Sequence, residues 1–252
     1  MFYIKEAGHT MVQTMDKFKK EHNINNKVCY CGRLDPMARG LVLLLVGDDC
    51  KKMDEYLSTI KEYEFEILFG LSTDTDDPLG VFENIHEYNE DNIKYYYEQI
   101  KEYLSEICKN GSFEQKFHNY SSKRVDGIPL WKHNKNEIHN MHNAMHHIMH
   151  QVTIYNVEVK EIKKYNFNEW KDNIITTINK IDKKNDFRQD VIINNYNNYN
   201  NIMNNNNFNY IYSIPIKITV SSGFYVRQLV ADIKNHFNIA ILTFDINRTN
   251  IF

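Results

Sequence analysis

The sequence predicts an α+β fold, in which a mixed, mostly antiparallel curved sheet carries helices on its faces. Residues 63–69 and 212–220 alternate apolar and polar side chains, which is typical of strands with one buried face. Residues 91–108 place apolar side chains at helical intervals and predict an amphipathic helix. Strands and helices follow one another without a regular alternation, which favours α+β over a doubly wound sheet.

The other elements are predicted from the same periodicities. Thr10 and Gln13 have the spacing of a capping box, and apolar residues recur at helical intervals after them, so residues 10–22 are predicted to form a helix. In chain order, the remaining predictions are a buried strand at 41–46, a strand at 151–160, a helix at 226–237 and a closing strand at 241–246.

The length of 252 residues suggests one large domain or two small ones, and we expect a single domain over residues 1–252. Residues 185–209 are dominated by asparagine. Such a segment buries too little apolar surface to offset the entropy lost when it becomes ordered. We therefore predict a low-complexity insertion at about 185–209 that is mobile and has no function of its own.

Composition sets default expectations. The longest apolar run, 41–46, is far shorter than the roughly 20 residues that span a bilayer, and the first residues lack a secretory or transit signal, so an intracellular and cytoplasmic protein is expected. The four cysteines are too irregularly spaced for a disulfide framework and are expected to be reduced. A net charge of −3 argues mildly against bulk electrostatic attraction to nucleic acid.

One carboxylate is distinguished by the loop that carries it. Asp35 lies in a turn-rich segment between Gly32 and Gly40, directly before the predicted strand at 41–46. An ionised aspartate on a rigid mount can act as a covalent nucleophile, and a nearby guanidinium would keep it ionised. The alternative is an ordinary turn cap, since an Asp before Pro commonly starts a turn.

Several motifs in one order resemble those of the TruB family of pseudouridine synthases. Residues 32–40 resemble the family's G-x-L-D-P-x-A-x-G loop. The other similar segments are 5–10 (family K-P-x-G-x-T), 61–63 (K-x-Y), 70–80 (a T-D-T turn), 120–127 (Y-S-A-x-K-V-x-G), 152–155 (V-T-I-Y) and 222–229 (S-G-T-Y-I-R-x-L). Together they extend over almost the whole chain, and their shared order is more specific than any one of them.

The resemblance implies a pseudouridine synthase fold with a central cleft that holds Asp35. It implies that the chain isomerises uridine to pseudouridine in RNA, with position 55 in the T-arm of tRNA as the expected substrate. Asp35 would be the nucleophile, Tyr63 would stack on the base and assist at C5, and Arg227 would pair with Asp35. The residues expected to bind the substrate are Tyr30, Arg33, Lys61, Lys123 and Leu229.

No metal or organic cofactor is expected, because the reaction is an isomerisation. RNA is the expected partner, no membrane is involved, and the resemblance leads us to expect a monomer.

The sequence also departs from the family pattern. Tyr30 stands where the family has a histidine, two residues before the loop's first glycine, and a tyrosine can also stack on a flipped base. Phe117 and His118 stand where prolines are usual, and Arg39 replaces a small residue. Because the chain ends at Phe252, we expect no C-terminal RNA-binding domain of the PUA type and predict weaker affinity for RNA.

Two alternatives concern metal ions. The spacing of five histidines could place several imidazoles on one helix face, although a polar loop is the simpler interpretation. They are His139, His142, His146, His147 and His150. Three aspartates at 74, 76 and 77 suggest calcium, but the glycine and the distal glutamate of a D-x-D-x-D-G loop are missing.

A further alternative is a binding protein of the same fold, an RNA chaperone that has lost the chemistry. The departures at Tyr30 and at Phe117 and His118 motivate it. The presence of all three predicted catalytic residues favours the enzyme, because a degenerate site need not retain all of them.

Overall fold

One large sheet organises the fold, and its strands come from both ends of the chain. The computed structural model describes residues 1–133, 149–184, 186–199 and 209–252. The strands are β1 (Phe2–Lys5), β2 (Val28–Cys31), β3 (Arg39–Val46), β4 (Lys61–Phe69), β5 (Leu71–Thr73), β6 (Phe82–Ile85), β7 (Ser112–Lys116), β8 (Arg124–Val125), β9 (Ile128–Pro129), β10 (Met149–Val159), β11 (Lys163–Asn166), β12 (Tyr210–Val220) and β13 (Ile241–Ile251). The helices are α1 (Met11–Glu21), α2 (Glu90–Asn110), α3 (Phe167–Ile178), α4 (Gln189–Asn197) and α5 (Val226–Phe237), with 3₁₀ helices at Gly47–Tyr56 and Leu130–Lys132.

Within the described ranges, nine strands join the large sheet. Their order is β1-β3-β13-β4-β12-β10-β7, with β2 paired to β3 and β11 paired to β12. β13 runs parallel to β3, with Arg248 opposite Gly40, and the other pairings of this sheet that the structure describes are antiparallel. The predicted α+β class with a mixed, mostly antiparallel sheet is confirmed.

β4 lies at the centre of the sheet, and both of its faces are covered. It pairs with β12 on one side and β13 on the other, and Ile67 lies opposite Ile214. Every side chain from Phe65 to Phe69 is buried, including Glu66. The prediction of a half-buried strand is therefore wrong for this half of β4, because apolar side chains cover both faces.

The two larger apolar clusters lie on opposite faces of the sheet. The larger packs α1, α2 and α5 against the face that carries Ile67, through residues such as Phe18 and Leu229. The smaller packs α3 and α4 against the face that carries Leu68, through residues such as Trp170. Because successive residues of a strand point to opposite faces, Ile67 and Leu68 assign the two clusters to opposite sides of the sheet.

Most of the predicted elements are present. The helices at 10–22, 91–108 and 226–237 are confirmed as α1, α2 and α5, and Thr10 caps α1 through the predicted capping box. The predicted strands are confirmed as β3, β10, β12 and β13, and β13 continues to Ile251 because its last residues pair with β4. Among the helices described, none combines the length and the apolar character that a membrane-spanning segment needs.

Part of the asparagine-rich segment is ordered, which corrects the prediction of a mobile insertion over 185–209. Residues 189–197 form α4, and Ile192 and Tyr196 are fully buried in the smaller apolar cluster. Composition misled the prediction because these side chains, together with Tyr199, recur every three or four residues and form one apolar stripe. Residue 185 and residues 200–208 of the segment lie outside the described residues.

Two neighbouring residues of α4 test whether this helix belongs to the core. Ile192 is fully buried, whereas Val191 is 53% exposed. We expect Ile192→Ala to lower the free energy of unfolding by about 2–5 kcal/mol, because it removes buried methylenes and leaves a cavity. Val191→Ala is the matched control and should change it by less than about 0.5 kcal/mol. Urea unfolding checks both, and equal stability of the two variants would contradict the structure.

Candidate active site

The loop that carries Asp35, residues 32–40, is held at both ends by one arginine of β13. Arg248 is buried, and its guanidinium donates from Nε to the Leu41 carbonyl (2.6 Å) and from Nη2 to the Gly32 carbonyl (3.1 Å). Gly40 has a φ of 113°, and a Cβ there would lie 2.3 Å from the Arg248 carbonyl oxygen. Only glycine fits at this point, because the loop meets the β13 backbone directly.

The middle of the Asp35 loop is held by a buried lysine. Lys5 ends β1, and its Nζ donates to the carbonyls of Ala38 (2.6 Å), Glu6 (3.1 Å) and Pro36 (3.2 Å). Burial lowers the pKa of Lys5 to about 7, although the nearby charge of Asp35 acts in the opposite direction. The loop is therefore tied to the sheet at its ends and at its centre.

Asp35 meets Arg227, as the sequence predicts. Arg227 is 5% exposed in the first turn of α5, and its Nε donates to Asp35 Oδ2 at 2.8 Å. Its Nη1 donates to the Thr75 carbonyl (3.0 Å) and its Nη2 to the Tyr120 carbonyl (3.2 Å). The side chain of Asp35 is 33% exposed, so solvent reaches a carboxylate whose partner is buried. The pairing is observed, while the catalytic roles stay predictions.

A short turn of three aspartates lies against Arg227. We call residues 74–77 the acid turn. Asp77 Oδ2 lies 3.8 Å from Arg227 Nε, and Asp77 Oδ1 accepts from the Thr75 hydroxyl and the Leu79 amide, both at 2.9 Å. Burial raises the pKa of Asp77 to about 6, although the Arg227 charge lowers it.

The other two carboxylates of the acid turn face cations of the chain. Asp74 pairs with Arg188, and Asp76 pairs with Lys234 and accepts from His118 Nε2 (3.1 Å). Because His118 Nδ1 accepts the Tyr120 amide proton, the imidazole carries its own proton on Nε2. The aspartates that suggested calcium are thus neutralised by side chains of the protein.

The predicted base-stacking residue belongs to the apolar surroundings of the Asp35 loop. Tyr63 is 7% exposed on β4 and shares the larger apolar cluster with Leu34, which precedes Asp35, and with Leu229, which is 1% exposed on α5. The sheet and α5 therefore place Tyr63, Leu229 and the residue before Asp35 in one cluster.

The remaining predicted substrate-binding residues differ in their surroundings. Arg33 is exposed and donates from Nη2 to the Tyr30 hydroxyl at 3.0 Å. Lys123 is exposed, with its ammonium 4.5 Å from the centre of the Phe117 ring. Lys61 is buried instead, and its Nζ donates to the carbonyl (2.7 Å) and the hydroxyl (3.0 Å) of Thr59. These contacts support a structural role for Lys61, in closing the turn before β4.

Phe117 and His118, the two residues that replace the family's prolines, both make side-chain contacts. Phe117 stacks on His150 at 4.2 Å between ring centroids, and His118 is buried beside Asp76. His150 Nε2 lies 2.9 Å from the Gly223 carbonyl oxygen. Residues 139, 142, 146 and 147, the other histidines of the metal hypothesis, lie outside the described residues. The residues that are described contain no group of three or more side chains arranged to hold a metal ion.

Residues 19–171 match the family model described as TruB family pseudouridylate synthase, N-terminal domain. The match spans more than half of the chain. This chain belongs to the TruB family.

Named relatives of this TruB family chain include three tRNA pseudouridine synthases. It is 34% identical over 130 residues to tRNA pseudouridine synthase B of Borreliella afzelii, in an alignment that covers 51% of this chain and 43% of the relative. It is 32% identical over 126 residues to tRNA pseudouridine synthase B of Caldicellulosiruptor saccharolyticus, covering 50% and 40%. It is 31% identical over 130 residues to tRNA pseudouridine synthase 4 of Saccharomyces cerevisiae, covering 50% and 28%. Each alignment spans less than half of the relative.

Solved structures share the fold. A Cbf5–Nop10–Gar1 complex contains a chain that matches 98% of this one with a TM-score of 0.52 and 14% identity, over 47% of its own length. An H/ACA RNP bound to a substrate RNA containing 2'-deoxyuridine contains a chain that matches 98% of this one with a TM-score of 0.51 and 14% identity, over 45% of its own length. At this identity the likeness shows the fold, and it confirms the predicted fold class.

Three residues of the candidate site were not predicted from the sequence. Lys5, Arg248 and His118 are each buried and hold backbone around Asp35 and Arg227. The sequence offers one signal, since Lys5 lies in the motif at 5–10. Arg227 itself lies beyond the matched residues 19–171, so its place in the site rests on the geometry and on the motif at 222–229.

The burial of Asp77 beside Arg227 makes stability depend on pH. A carboxyl group whose pKa is higher in the folded state than in the unfolded state stabilises the fold fully at pH values below its unfolded pKa. That stabilisation is lost as the pH rises through the folded pKa, here about 6. Arg227→Met removes the positive charge that lowers the pKa of Asp77, so this pKa should increase further. We expect a loss of about 3–5 kcal/mol at pH 8, where a buried carboxylate loses its partner, and a smaller loss at pH 5.

Urea unfolding of the Arg227→Met variant at the two pH values measures this effect. The control adds Arg227→Met to the Asp77→Asn variant. The stability lost between these two proteins should not depend on pH, because the titrating carboxyl is gone. An equal loss at pH 5 and pH 8 in the single variant would show that Asp77 does not couple to Arg227.

Proposed function

We propose that this chain isomerises uridine to pseudouridine in RNA. The observation that carries the proposal is the 2.8 Å contact between the partly exposed carboxylate of Asp35 and the buried guanidinium of Arg227. A carboxylate that is fixed, charge-paired and open to solvent on one side can act as a nucleophile. Membership of the TruB family, which rests on residues 19–171, supports the same reaction.

The proposed substrate is tRNA, at position 55 in the T-arm. The curated relatives at 31–34% identity are named as tRNA pseudouridine synthases, which supports this choice. The matched segments cover 43%, 40% and 28% of those relatives. The proposal includes one copy of the chain acting on RNA in the cytoplasm, with no membrane involved.

In the proposed reaction, the Asp35 carboxylate bonds to C1′ of the ribose as the bond from C1′ to uracil N1 breaks. The detached base turns, and its C5 bonds to C1′ as the bond from Asp35 to C1′ breaks. C5 then loses its proton and N1 takes up a proton, which restores the uracil ring. Arg227 holds Asp35 in position through their charge pairing, and Tyr63 stacks on the base and assists the proton transfer at C5. No atom is gained or lost by the substrate, which is why the proposal needs no cofactor.

The target uridine has to leave the RNA stack to reach Asp35. Tyr30 and Arg33 are positioned to assist, since they lie at the end of β2 and at the start of the Asp35 loop and contact each other through a hydrogen bond. An aromatic ring and a guanidinium can both stack on nucleobases. We propose that this pair takes the place of the family's histidine during base flipping.

The first test follows pseudouridine in an unmodified tRNA transcript incubated with the protein, mapped at nucleotide resolution. We expect the wild type to modify one uridine and Asp35→Asn to show no product, because the amide cannot act as the nucleophile. Asp49→Asn is the control, since its side chain is 66% exposed beside Lys52. Binding of the transcript without modification by the wild type would favour the RNA chaperone.

A second test concerns Tyr63. We expect Tyr63→Phe to keep the stacking surface and to lose the hydroxyl, so that the rate at saturating enzyme falls about 100-fold or more while RNA affinity is unchanged. Tyr155→Phe is the matched control, because Tyr155 is 53% exposed on β10. A rate equal to that of the wild type would remove Tyr63 from the proton-transfer step.

A further inference from the structure

The helix inside the asparagine-rich segment packs against the turn that holds Arg227. Tyr196 of α4 is buried, and its hydroxyl donates to the Pro78 carbonyl at 3.1 Å, directly after the acid turn. The Tyr196 ring also meets Phe82 edge-on, with 4.8 Å between centroids. α4 is therefore fixed against the acid turn from outside the large sheet.

Arg188 extends this contact to the acid turn itself. Its guanidinium binds both oxygens of Asp74, with Nη1 2.6 Å from Oδ2 and Nη2 3.1 Å from Oδ1. The Tyr120 hydroxyl donates to Asp74 Oδ2 at 2.8 Å, and the Arg188 guanidinium lies 5.4 Å from the centre of the Tyr120 ring. We call Arg188, Asp74 and Tyr120 the outer clamp.

The outer clamp is tight because its carboxylate is shielded from water. The Asp74 side chain is 3% exposed, and a bidentate pair of arginine with carboxylate is both stronger and more directional than a simple ion pair. Burial tends to raise the pKa of Asp74, but the hydrogen bonds from Arg188 and Tyr120 outweigh it and hold the pKa below its usual range.

The outer clamp joins the same two segments that hold Arg227. Arg227 donates to the carbonyls of Thr75 and Tyr120. Thr75 follows Asp74 directly, and Tyr120 contributes its hydroxyl and its ring to the outer clamp. The segments that Arg188 fastens from outside are thus the segments whose carbonyls aim Arg227 at Asp35.

We propose that Arg188 is a positioning residue for the pair of Asp35 and Arg227, and that α4 serves as a brace for the active site. The proposal rests on the proposed function. Arg188 does not touch the reacting atoms in this arrangement, and it acts through Asp74 and Tyr120 on the direction of Arg227. A small displacement of a catalytic group can reduce a rate substantially, so the effect is expected on the chemical step.

The test separates this role from direct contact with RNA, since the Arg188 side chain is 36% exposed. We expect Arg188→Met to lower the single-turnover rate at saturating enzyme by roughly 10-fold or more, with the Kd for the tRNA transcript unchanged. Arg188→Lys should recover part of the rate. Lys183→Met is the control for the loss of one positive charge close to Arg188 in the sequence, because Lys183 is 74% exposed, and it should leave rate and Kd unchanged.

A double-mutant cycle with Asp74→Asn tests whether Arg188 acts on the rate through Asp74. In the Asp74→Asn background, Arg188→Met should lower the rate by less than two-fold, because its partner is already altered. A weaker Kd with an unchanged rate would assign Arg188 to RNA contact and overturn the proposal. A lower Tm with an unchanged rate per folded molecule would overturn it as well.

A second readout does not depend on activity, so that failure of the proposed function can be recognised separately. If the wild type forms no pseudouridine, the Tm of Arg188→Met, Arg227→Met and the double variant still reports their coupling. The proposal expects the double variant to lose less Tm than the sum of the single losses. Additive losses would show that the outer clamp and Arg227 are independent.

Discussion

A guanidinium that is almost completely buried stands between two carboxylates and two carbonyls, and the geometry of the site depends on it. Arg227 reaches Asp35, Asp77, and the backbone of Thr75 and Tyr120 from one side chain. Burying such a charge costs several kcal/mol unless its donors are satisfied. Here they are satisfied by groups from three segments, so Arg227 fixes these segments relative to one another while it orients the exposed carboxylate.

Buried basic side chains also hold the loop that carries Asp35, and their partners there are backbone carbonyls. Lys5 and Arg248 are buried cations that donate to the backbone of residues 32–41. A loop exposes carbonyls that no helix or strand satisfies, and a buried cation can bind several of them at once. The Asp35 loop is thereby made rigid without a regular element, and its carboxylate stays open to solvent. Rigidity near the proposed nucleophile is what pre-organised catalysis requires.

The sequence predicted the helices and strands whose apolar residues recur at a clear period. Its motifs also predicted the pairing of Asp35 with Arg227. Asp35, Tyr63 and Arg227 were singled out because ordered motifs carry them. The second half of β4 was predicted to be half-buried because strand alternation cannot reveal a second core on the other face. Lys5, Arg248 and His118 could not be predicted, because their roles depend on groups that come near them only in the folded chain, which are carbonyls for Lys5 and Arg248 and the Asp76 carboxylate for His118. Lys61 is the opposite case. It lies in a motif and was predicted to bind the substrate, but its ammonium donates to Thr59 in the turn before β4.

α4 shows why composition is a weaker guide than spacing. Asparagine dominates its segment, yet Ile192 and Tyr196 are enough to anchor one face of a short helix in the smaller cluster. Once anchored, the helix presents Arg188 to Asp74, 114 residues away in sequence, and Arg227 reaches Asp35 across 192 residues. Contacts of such long range form only when the whole fold is in place. The geometry of the candidate site is therefore a property of the complete sheet and of the clusters on both of its faces, and the proposed brace acts on it from the far side of the sheet through the contacts of Arg188 with Asp74 and Tyr120.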